Sequence, residues 1–415
     1  MNAPSTAEMI RVFGRIGLLS FGGPAAQIAL MHRELVENRP WLSEESYLRA
    51  LSLCMLLPGP EAMQLATYAG WRLRGTFGGL IAGLLFVVPG ALVILCLALG
   101  YALYGQVPLV QAAFEGIKAA VIIIVLQALL KVSRKALTGR DALLLAGSAF
   151  VALYFLGLPF PLIVIAAGLY GFAMRKSAET QETIVHTRPP NTLQTLLIWG
   201  GLWSAPVLAL WFMDHAFLSQ IALFFSKLAV VTFGGAYAVL AYMTQTVVQD
   251  FGWISTAEMI DALGLAETTP GPLILVTEFV ALLAGFAKGG VGLAVAAGSV
   301  ALWVTFTPCF LWIFLAGPYL DRIAAKPRLS SALNAITAAV VGVILNLTIW
   351  FAVHVLFDRV DTGGWTAAPL PDMTSLDLRA LALTFLAAAL LLWLKRGMVE
   401  SLFILAIAGL CVGVL

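Results

Sequence analysis

Five long stretches of this chain carry no Asp, Glu, Lys or Arg: 75–114, 142–174, 189–213, 289–320 and 329–357. A helical bilayer crossing takes about 20 mainly apolar residues, so each run is long enough to cross. The pattern predicts strong apolar helices over 80–103, 112–130, 142–157, 159–174, 193–213, 217–232, 271–287, 291–315, 333–356, 376–394 and 398–415. Weaker helices are predicted over 8–20, 25–38, 44–57, 60–72, 237–249 and 256–268, some crossing and some re-entrant or interfacial. The expected fold class is an all-α polytopic integral membrane protein with about 11–13 spans.

The pattern also repeats. Residues 13–60 recur at 225–272 with a constant offset of 212, no gap and 16 identities in 48 positions. Phe21-Gly22-Gly23 returns as Phe233-Gly234-Gly235, Trp41 and Ser43 as Trp253 and Ser255, and Pro58-Gly59-Pro60 as Pro270-Gly271-Pro272. The domain reading is a first unit over 1–174, a cytoplasmic linker over 175–192, a single span over 193–213 and a second unit over 214–415.

Charge sets the expected orientation, because Lys and Arg favour short cytoplasmic loops. Lys131, Arg134, Lys135 and Arg140 form one basic loop, and Arg175, Lys176 and Arg188 lie in the linker. The second unit has the opposite bias. It has no Lys or Arg between Lys227 and Lys288, where the first carries Arg33, Arg39, Arg49, Arg72 and Arg74. Arg322, Lys326 and Arg328 fill a loop whose counterpart, 101–108, is uncharged, and Lys395 and Arg396 fill a loop whose counterpart, near Pro159, is also uncharged. An acidic loop with Asp358, Asp361 and Asp372 replaces the basic 131–140 loop. The simplest account is an inverted repeat, with span 193–213 turning the second unit over, a cytoplasmic N-terminus and an outside C-terminus. A parallel repeat is the rival.

The repeated elements are helix breakers set in apolar sequence. Ser20-Phe21-Gly22-Gly23-Pro24 and Thr232-Phe233-Gly234-Gly235-Ala236 interrupt one helix in each copy. Two glycines ease departure from helical geometry, and Pro24 suits the first turn of the next helix. Pro58-Gly59-Pro60 and Pro270-Gly271-Pro272 end the helices at 44–57 and 256–268. Broken helices in paired units mark transport sites, and exposed first-turn N–H groups suit an anion. Ser20 and Thr232 are candidate hydroxyl donors. Arg15 and Lys227 align six residues before each Phe-Gly-Gly and are candidate anion attractors. Close glycine packing, a plain proline kink and a snorkelling interface cation are the bland readings of the same residues. Glu61, Glu267 and Glu278 are unmatched between copies and are candidates for carrying a coupling proton or positioning a cation.

Composition narrows the alternatives. The chain is 61% hydrophobic and 11% charged, with a mean hydropathy of +0.95, against about 25% charged residues in soluble chains. A net charge of +2 gives no reason to expect nucleic acid. Cys54, Cys96, Cys309 and Cys411, and His32, His186, His215 and His354, are scattered without ligand spacing, so neither a metal site nor a catalytic cluster is expected. The first thirty residues lack the apolar core and Ala-x-Ala site of a cleavable signal.

Phe21-Gly22-Gly23-Pro24, the Trp41-Leu42 turn and Leu57-Pro58-Gly59-Pro60 resemble signatures of the chromate ion transporter family. So do Thr232-Phe233-Gly234-Gly235, Gly252-Trp253-Ile254 and Thr269-Pro270-Gly271-Pro272. The resemblance covers nearly the whole chain, as the long two-domain form of that family. It departs where Ala236 and Tyr237 replace Pro24 and Ala25, and where Leu273 stands for Glu61. It implies chromate export across the inner membrane, giving chromate resistance, with sulfate as the physiological analogue. A tetrahedral dianion wants converging N–H or hydroxyl donors and a nearby cation, and no catalysis or cofactor. No Walker lysine motif is present, so secondary transport is expected. The expected partners are chromate, sulfate as an alternative, the lipid bilayer and, as an option, a second copy in a homodimer. A carrier of sulfate or another oxyanion is the near rival; a membrane-embedded enzyme or lipid-handling protein is the distant one.

Overall fold

The computed structural model describes residues 4–174, 192–233, 236–319, 327–361 and 368–413. Gly234, Gly235, the linker at 175–191, Arg322, Lys326 and Leu415 lie outside the described residues.

The first copy runs α1 (Thr6–Leu19), α2 (Gly23–His32), α3 (Glu44–Leu56), α4 (Glu61–Tyr104), α5 (Pro108–Ala136), α6 (Arg140–Tyr154) and α7 (Phe160–Met174). Helix α8 (Thr192–Phe212) follows. The second copy runs α9 (Ala216–Val231), α10 (Ala236–Thr244), α11 (Thr256–Thr268), α12 (Val276–Ala316), α13 (Pro327–Leu356), α14 (Leu378–Ala388) and α15 (Met398–Gly413). Among the described residues, five apolar helical segments are long enough to cross a membrane: Glu61–Tyr104, Pro108–Ala136, Thr192–Phe212, Leu273–Tyr319 and Pro327–Leu356. Four shorter apolar helices accompany them, at Phe160–Met174, Ala216–Val231, Leu378–Trp393 and Met398–Gly413. The protein is an all-α, multi-pass membrane protein. Its one described sheet is a two-residue antiparallel pair, Val360–Asp361 with Leu370–Pro371, inside the acidic loop.

Local chemistry repeats between the copies. Ser43 and Ser255 cap α3 and α11, accepting from Ser46 N–H and Glu258 N–H at 3.2 Å each. Glu258 closes a capping box by accepting Ser255 N–H at 2.7 Å. Helices α2 and α10 each run on into a wider π-helical turn, Arg33–Glu37 and Gln245–Asp250. Both chains then fold back the same way, Trp41 N–H onto Leu35 O and Trp253 N–H onto Val247 O.

Helices α4 and α12 are each two arms joined by a sharp reversal. The backbone leaves helical geometry at Arg74-Gly75 and again at Gly289-Gly290, with φ of +61° at Gly75 and +70° at Gly290. A side chain at either glycine would be strained. Past each reversal the arms run back along one another. A β-carbon at Gly70 would lie 2.3 Å from Gly78 O, and one at Gly285 would lie 2.7 Å from Leu293 O. The weak helix at 60–72 and the strong one at 80–103 are therefore distinct arms, as their sequence patterns suggest. The offset of 212 holds to Pro60 and Pro272, then grows to 215 at the reversals and to 219 at Pro89 and Pro308. The first increment is a 3-10 turn, Leu273–Leu275, ahead of α12. It moves the helix start from the expected 271 to Val276 and pairs Glu61 with Val276 rather than Leu273, and Glu278 with Met63.

The chain forms two compact units, and each mixes the two copies. One holds residues 1–98, 173–236 and 269–331; the other holds 99–172, 237–268 and 332–415. In the first, α8 packs on α12 through reciprocal indole bonds. Trp203 Nε1 donates to Val304 O at 3.1 Å, and Trp303 Nε1 donates to Leu202 O at 2.7 Å. In the second, α5 meets α15 where Gly116 and Gly409 let the backbones touch, and Ala120, Ile124, Leu402 and Leu405 fill the space beside them. Gly342 of α13 presses as closely on Ala146 of α6.

Candidate functional site

Helix α1 ends at Ser20 because the next residues turn away. Phe21 N–H bonds Leu19 O at 2.9 Å, and Phe233 N–H bonds Val231 O at 2.9 Å in the second copy. The Ser20 hydroxyl donates to Ile16 O at 2.5 Å and the Thr232 hydroxyl to Leu228 O at 2.6 Å. Both hydroxyl protons are thus held by their own helices. Gly22, at φ +83°, caps α2 without a side-chain bond, which leaves the first-turn N–H groups of Gly23, Ala25 and Ala26 without an intrahelical partner.

The second pair of breaks docks on the first, and the partners are exchanged. Gly59 N–H of the first copy donates to Thr232 O of the second at 2.9 Å. Gly271 N–H of the second donates to Ser20 O of the first at 2.9 Å. All four residues lie in one compact unit. Gly59 and Gly271 hold φ of +118° and +93°, a region that favours glycine, so the Pro-Gly-Pro turns can present these N–H groups. Each turn also touches a long helix of the opposite copy. A β-carbon at Gly59 would lie 3.0 Å from Cys309 Sγ, and one at Gly90 would lie 2.2 Å from Pro270 O. Gly90 and Cys309 each follow the helix proline, Pro89 or Pro308.

Two glutamines complete the crossing. Gln27 Nε2 donates to Ser20 O at 3.1 Å and to Gly271 O at 2.6 Å. Gln64 Nε2 donates to Pro58 O at 2.6 Å. Both side chains are buried, and each leaves its Oε1 without a hydrogen-bond partner among the described residues. The short arms around Pro58-Gly59-Pro60, α3 and 61–73, are each about 20 Å long against a hydrocarbon core of about 30 Å. Non-helical backbone of this kind needs protein around it or a polar cavity beside it.

The other sequence candidates are distributed as follows. Arg15 lies on the rim of an open cavity of about 530 Å³ with Arg33, Glu34, Asn38 and Arg39. Arg39 pairs with buried Glu34 at 2.6 Å, while Arg15 and Arg33 make no ion pair among the described residues. Beside them, His32 bonds Glu44 at 2.7 Å and Glu37 at 3.0 Å, and its bond to Glu44 is the main cause raising its pKa above the usual histidine value. Lys227 is exposed on α9. Glu61 opens α4, half-buried. Buried Glu267 accepts the Tyr237 hydroxyl at 2.7 Å. Glu278 is buried and makes no hydrogen bond among the described residues; its Oε2 is fully enclosed. Lys118 of α5 meets buried Asp261 at 3.7 Å, and Tyr101 donates to the same carboxylate at 2.7 Å.

Sequence reasoning missed Gln27, Gln64, Asp261 and the roles of Arg33 and Arg39. The repeat hides the glutamines, since Val239 replaces Gln27 and Phe279 replaces Gln64 in the second copy. Their signal is a lone amide in an apolar helix, one turn past a glycine or proline break.

The profile described as Chromate transporter matches residues 7–172 and 219–414, once for each copy. A probable chromate transport protein of Synechococcus elongatus is 33% identical over 348 residues, covering 84% of each chain. The chromate transport protein of Cupriavidus metallidurans is 30% identical over 85% of this chain and 84% of its own. That of Pseudomonas aeruginosa is 30% identical over 92% and 88%. No solved structure matches. The chain belongs to the chromate transporter family of membrane transport proteins.

Proposed function

We propose that this protein is a secondary carrier that exports chromate across the inner membrane and so confers chromate resistance. The observation that carries this reading is the reciprocal docking of broken helices, Gly59 on Thr232 and Gly271 on Ser20. Such crossings keep irregular backbone where a substrate can meet it. The relatives in Cupriavidus metallidurans and Pseudomonas aeruginosa are chromate transport proteins, and a tetrahedral dianion suits the chemistry at hand. Ser20, Gly22, Gly23, Pro58, Gly59, Pro60, Thr232, Gly234, Gly235, Pro270, Gly271 and Pro272 form the pathway in this reading. Arg15 attracts the anion, and Lys227 does so from the second copy. Glu61, Glu267 and Glu278 are the carboxylates available for coupling. The first-turn N–H groups of α2 are the donors left to the substrate, because the Gly59 and Gly271 N–H groups serve the crossing.

The two copies are inverted in the membrane in this reading, with the N-terminus and residues 131–140 cytoplasmic and 358–372 outside. The support is the reversed charge bias of the loops. Export needs no further energy source in principle, since a negative interior expels anions by about 2.3 kcal/mol per charge per 100 mV. Radiolabelled chromate uptake into everted vesicles, with sulfate as competitor, tests the reading. Saturable chromate uptake that sulfate competes with weakly supports it. Sulfate uptake without chromate uptake would make the protein a sulfate carrier, and uptake of neither would end the carrier reading.

A further inference from the structure

The compact unit that holds residues 99–172, 237–268 and 332–415 buries an acidic group that the crossing does not use. Asp261 of α11 is 3% exposed, and two other helices reach it within that unit. Tyr101, near the end of α4, donates to its Oδ2 at 2.7 Å. Lys118 of α5 stands 3.7 Å from its Oδ1, beyond a direct hydrogen bond, and that oxygen has no hydrogen-bond partner among the described residues. Lys118 lies about 15 Å from the first residue of a helix about 43 Å long, so the pair is not an end-of-helix contact. Glu258, one turn earlier on α11, adds a like charge. Helix α15 also packs on α11, but among the described residues Lys118, Tyr101 and Glu258 are the ionisable groups that act on Asp261.

The fold does not need this pair. Arg49 takes the place of Asp261 in the first copy, exposed and paired with Glu45 one turn away, and α3 forms there all the same. A buried ion pair is seldom worth more than apolar side chains of the same size, so one set among apolar spans points to a function. Glu267 and Glu278, also buried in the second copy, have no cation partner among the described residues. Asp261 has groups that suit both its forms. The ionised form has Lys118 and the Tyr101 hydroxyl. The neutral form keeps the Tyr101 bond at Oδ2 and takes its proton on Oδ1, the oxygen that accepts no hydrogen bond.

We propose that Asp261 is the proton-binding group of the carrier, with Lys118 as its counter-ion, and that a proton bound there travels with the oxyanion. This rests on the carrier reading above. A proton on Oδ1 turns a neutral Lys–Asp pair into a site with a single positive charge. Charges in the interior are weakly screened, so an oxyanion elsewhere in the protein favours that form without touching it. Coupling between bound ions is mutual, so the protonated carrier binds the oxyanion more tightly. The proton lowers the charge moved in each cycle from two to one, and a negative interior still favours export.

Chromate accumulation in everted vesicles, with the membrane potential clamped at zero by potassium and valinomycin, tests this. Wild type is expected to accumulate chromate about tenfold more for each pH unit by which the medium is more acidic than the lumen, the ratio that one proton per anion sets. Asp261→Asn, which mimics the neutral carboxyl, should lose the response to the gradient far more than it loses chromate exchange at equal pH. Asp261→Asn combined with Lys118→Met removes both charges, leaves no buried ion unpaired and should behave alike. Tyr101→Phe, the mildest change, should keep the response and move its pH profile upward, because the ionised carboxylate loses a donor. No response to the gradient in wild type would overturn the proposal. So would a full response in either Asp261 variant, which would put the proton on the chromate itself, or equal loss of response and exchange, which would mark a structural pair. An unchanged profile in Tyr101→Phe would overturn it even if neither Asp261 variant reached the membrane. Absence of chromate flux in wild type under every gradient is a different result, which removes the carrier reading on which the proposal stands.

Discussion

The two copies share a backbone plan and differ in what they place on it. Both end a helix just before Phe-Gly-Gly, both turn back after a π-helical turn, and both reverse at a glycine in the long helix. Yet Gln27 stands against Val239, His32 against Thr244, Arg33 against Gln245, Arg49 against Asp261 and Gly90 against Cys309. The shared set is backbone chemistry: positive φ, missing donors and helix ends. The divergent set is side-chain chemistry: charge, amide groups and bulk. Duplication has kept what forms the crossing and let each copy acquire its own polar groups. Substitutions at the shared positions should therefore be severe in both copies, and those at the divergent positions should expose one copy at a time.

The largest effects are expected at the exchanged turns. In Gly59→Ala, the new β-carbon sits at φ +118° and lies 2.9 Å from Gln64 Nε2 and 3.0 Å from Cys309 Sγ. In Gly271→Ala it sits at φ +93° and meets Leu275 Cδ1 at 3.1 Å, a flexible methyl. The left-handed region alone costs about 1–2 kcal/mol for a side chain. Both variants should lose most chromate flux per molecule, with Gly59→Ala the more destabilised on thermal unfolding in detergent. Wild-type flux in both would show that the crossing is not on the pathway. Gly90→Cys sharpens the comparison, because it gives the first copy the residue that the second carries at Cys309. Its β-carbon would lie 2.2 Å from Pro270 O, so it should fail to accumulate in the membrane although the same residue is native in the other copy. Wild-type abundance on immunoblots would refute the equivalence of these two positions.

The helices and the repeat were legible in the sequence because both rest on pattern. Apolar runs and breakers placed α6 to α9 within about three residues of their observed ends, found α5 but fell four and six residues short of its ends, and separated the arms of α4 despite the tight turn between them. The exchange of partners was not legible. Nothing in the spacing of Gly59 and Thr232 says that one donates to the other, since long-range pairing across copies leaves no period. The 3-10 turn at Leu273–Leu275 was hidden too, because an ungapped repeat gave no reason to slip the register. Arg33 and Arg39 were read as topology signals. Their grouping with Arg15 depends on how α1 and α2 fold against each other, which charge counting does not contain.

The glutamines should show intermediate effects, in a defined order. Gln27→Leu removes the donor of two buried carbonyls, Ser20 O and Gly271 O, whereas Gln64→Leu removes the donor of one, Pro58 O. A buried group left unsatisfied costs about 1–3 kcal/mol, although Ser20 O keeps the Gly271 N–H. Gln27→Leu is expected to lower the unfolding temperature more, and Val239→Gln in the second copy should rescue nothing. Equal or reversed shifts in a thermal-unfolding series would show that the amide oxygens, not the donors, matter at these positions.

The smallest effect tests the polar end of the first copy, at His32, where the second copy has Thr244. His32 lies between Glu44 and Glu37, and these contacts raise its pKa, chiefly through the hydrogen bond to Glu44. The raised value fixes the sign. The stabilisation is fully present below the unfolded histidine pKa of about 6.5 and fades as pH rises through the higher folded value. The side chain is 26% exposed, so solvent screens the pair and the effect should be modest. His32→Gln should therefore lower the unfolding temperature more at pH 6 than at pH 8.5, whereas Thr244→Val should shift it equally at both. A His32→Gln shift that is independent of pH, or larger at pH 8.5, would mean that the imidazole is held neutral and that its two carboxylate neighbours do not act on it as charges.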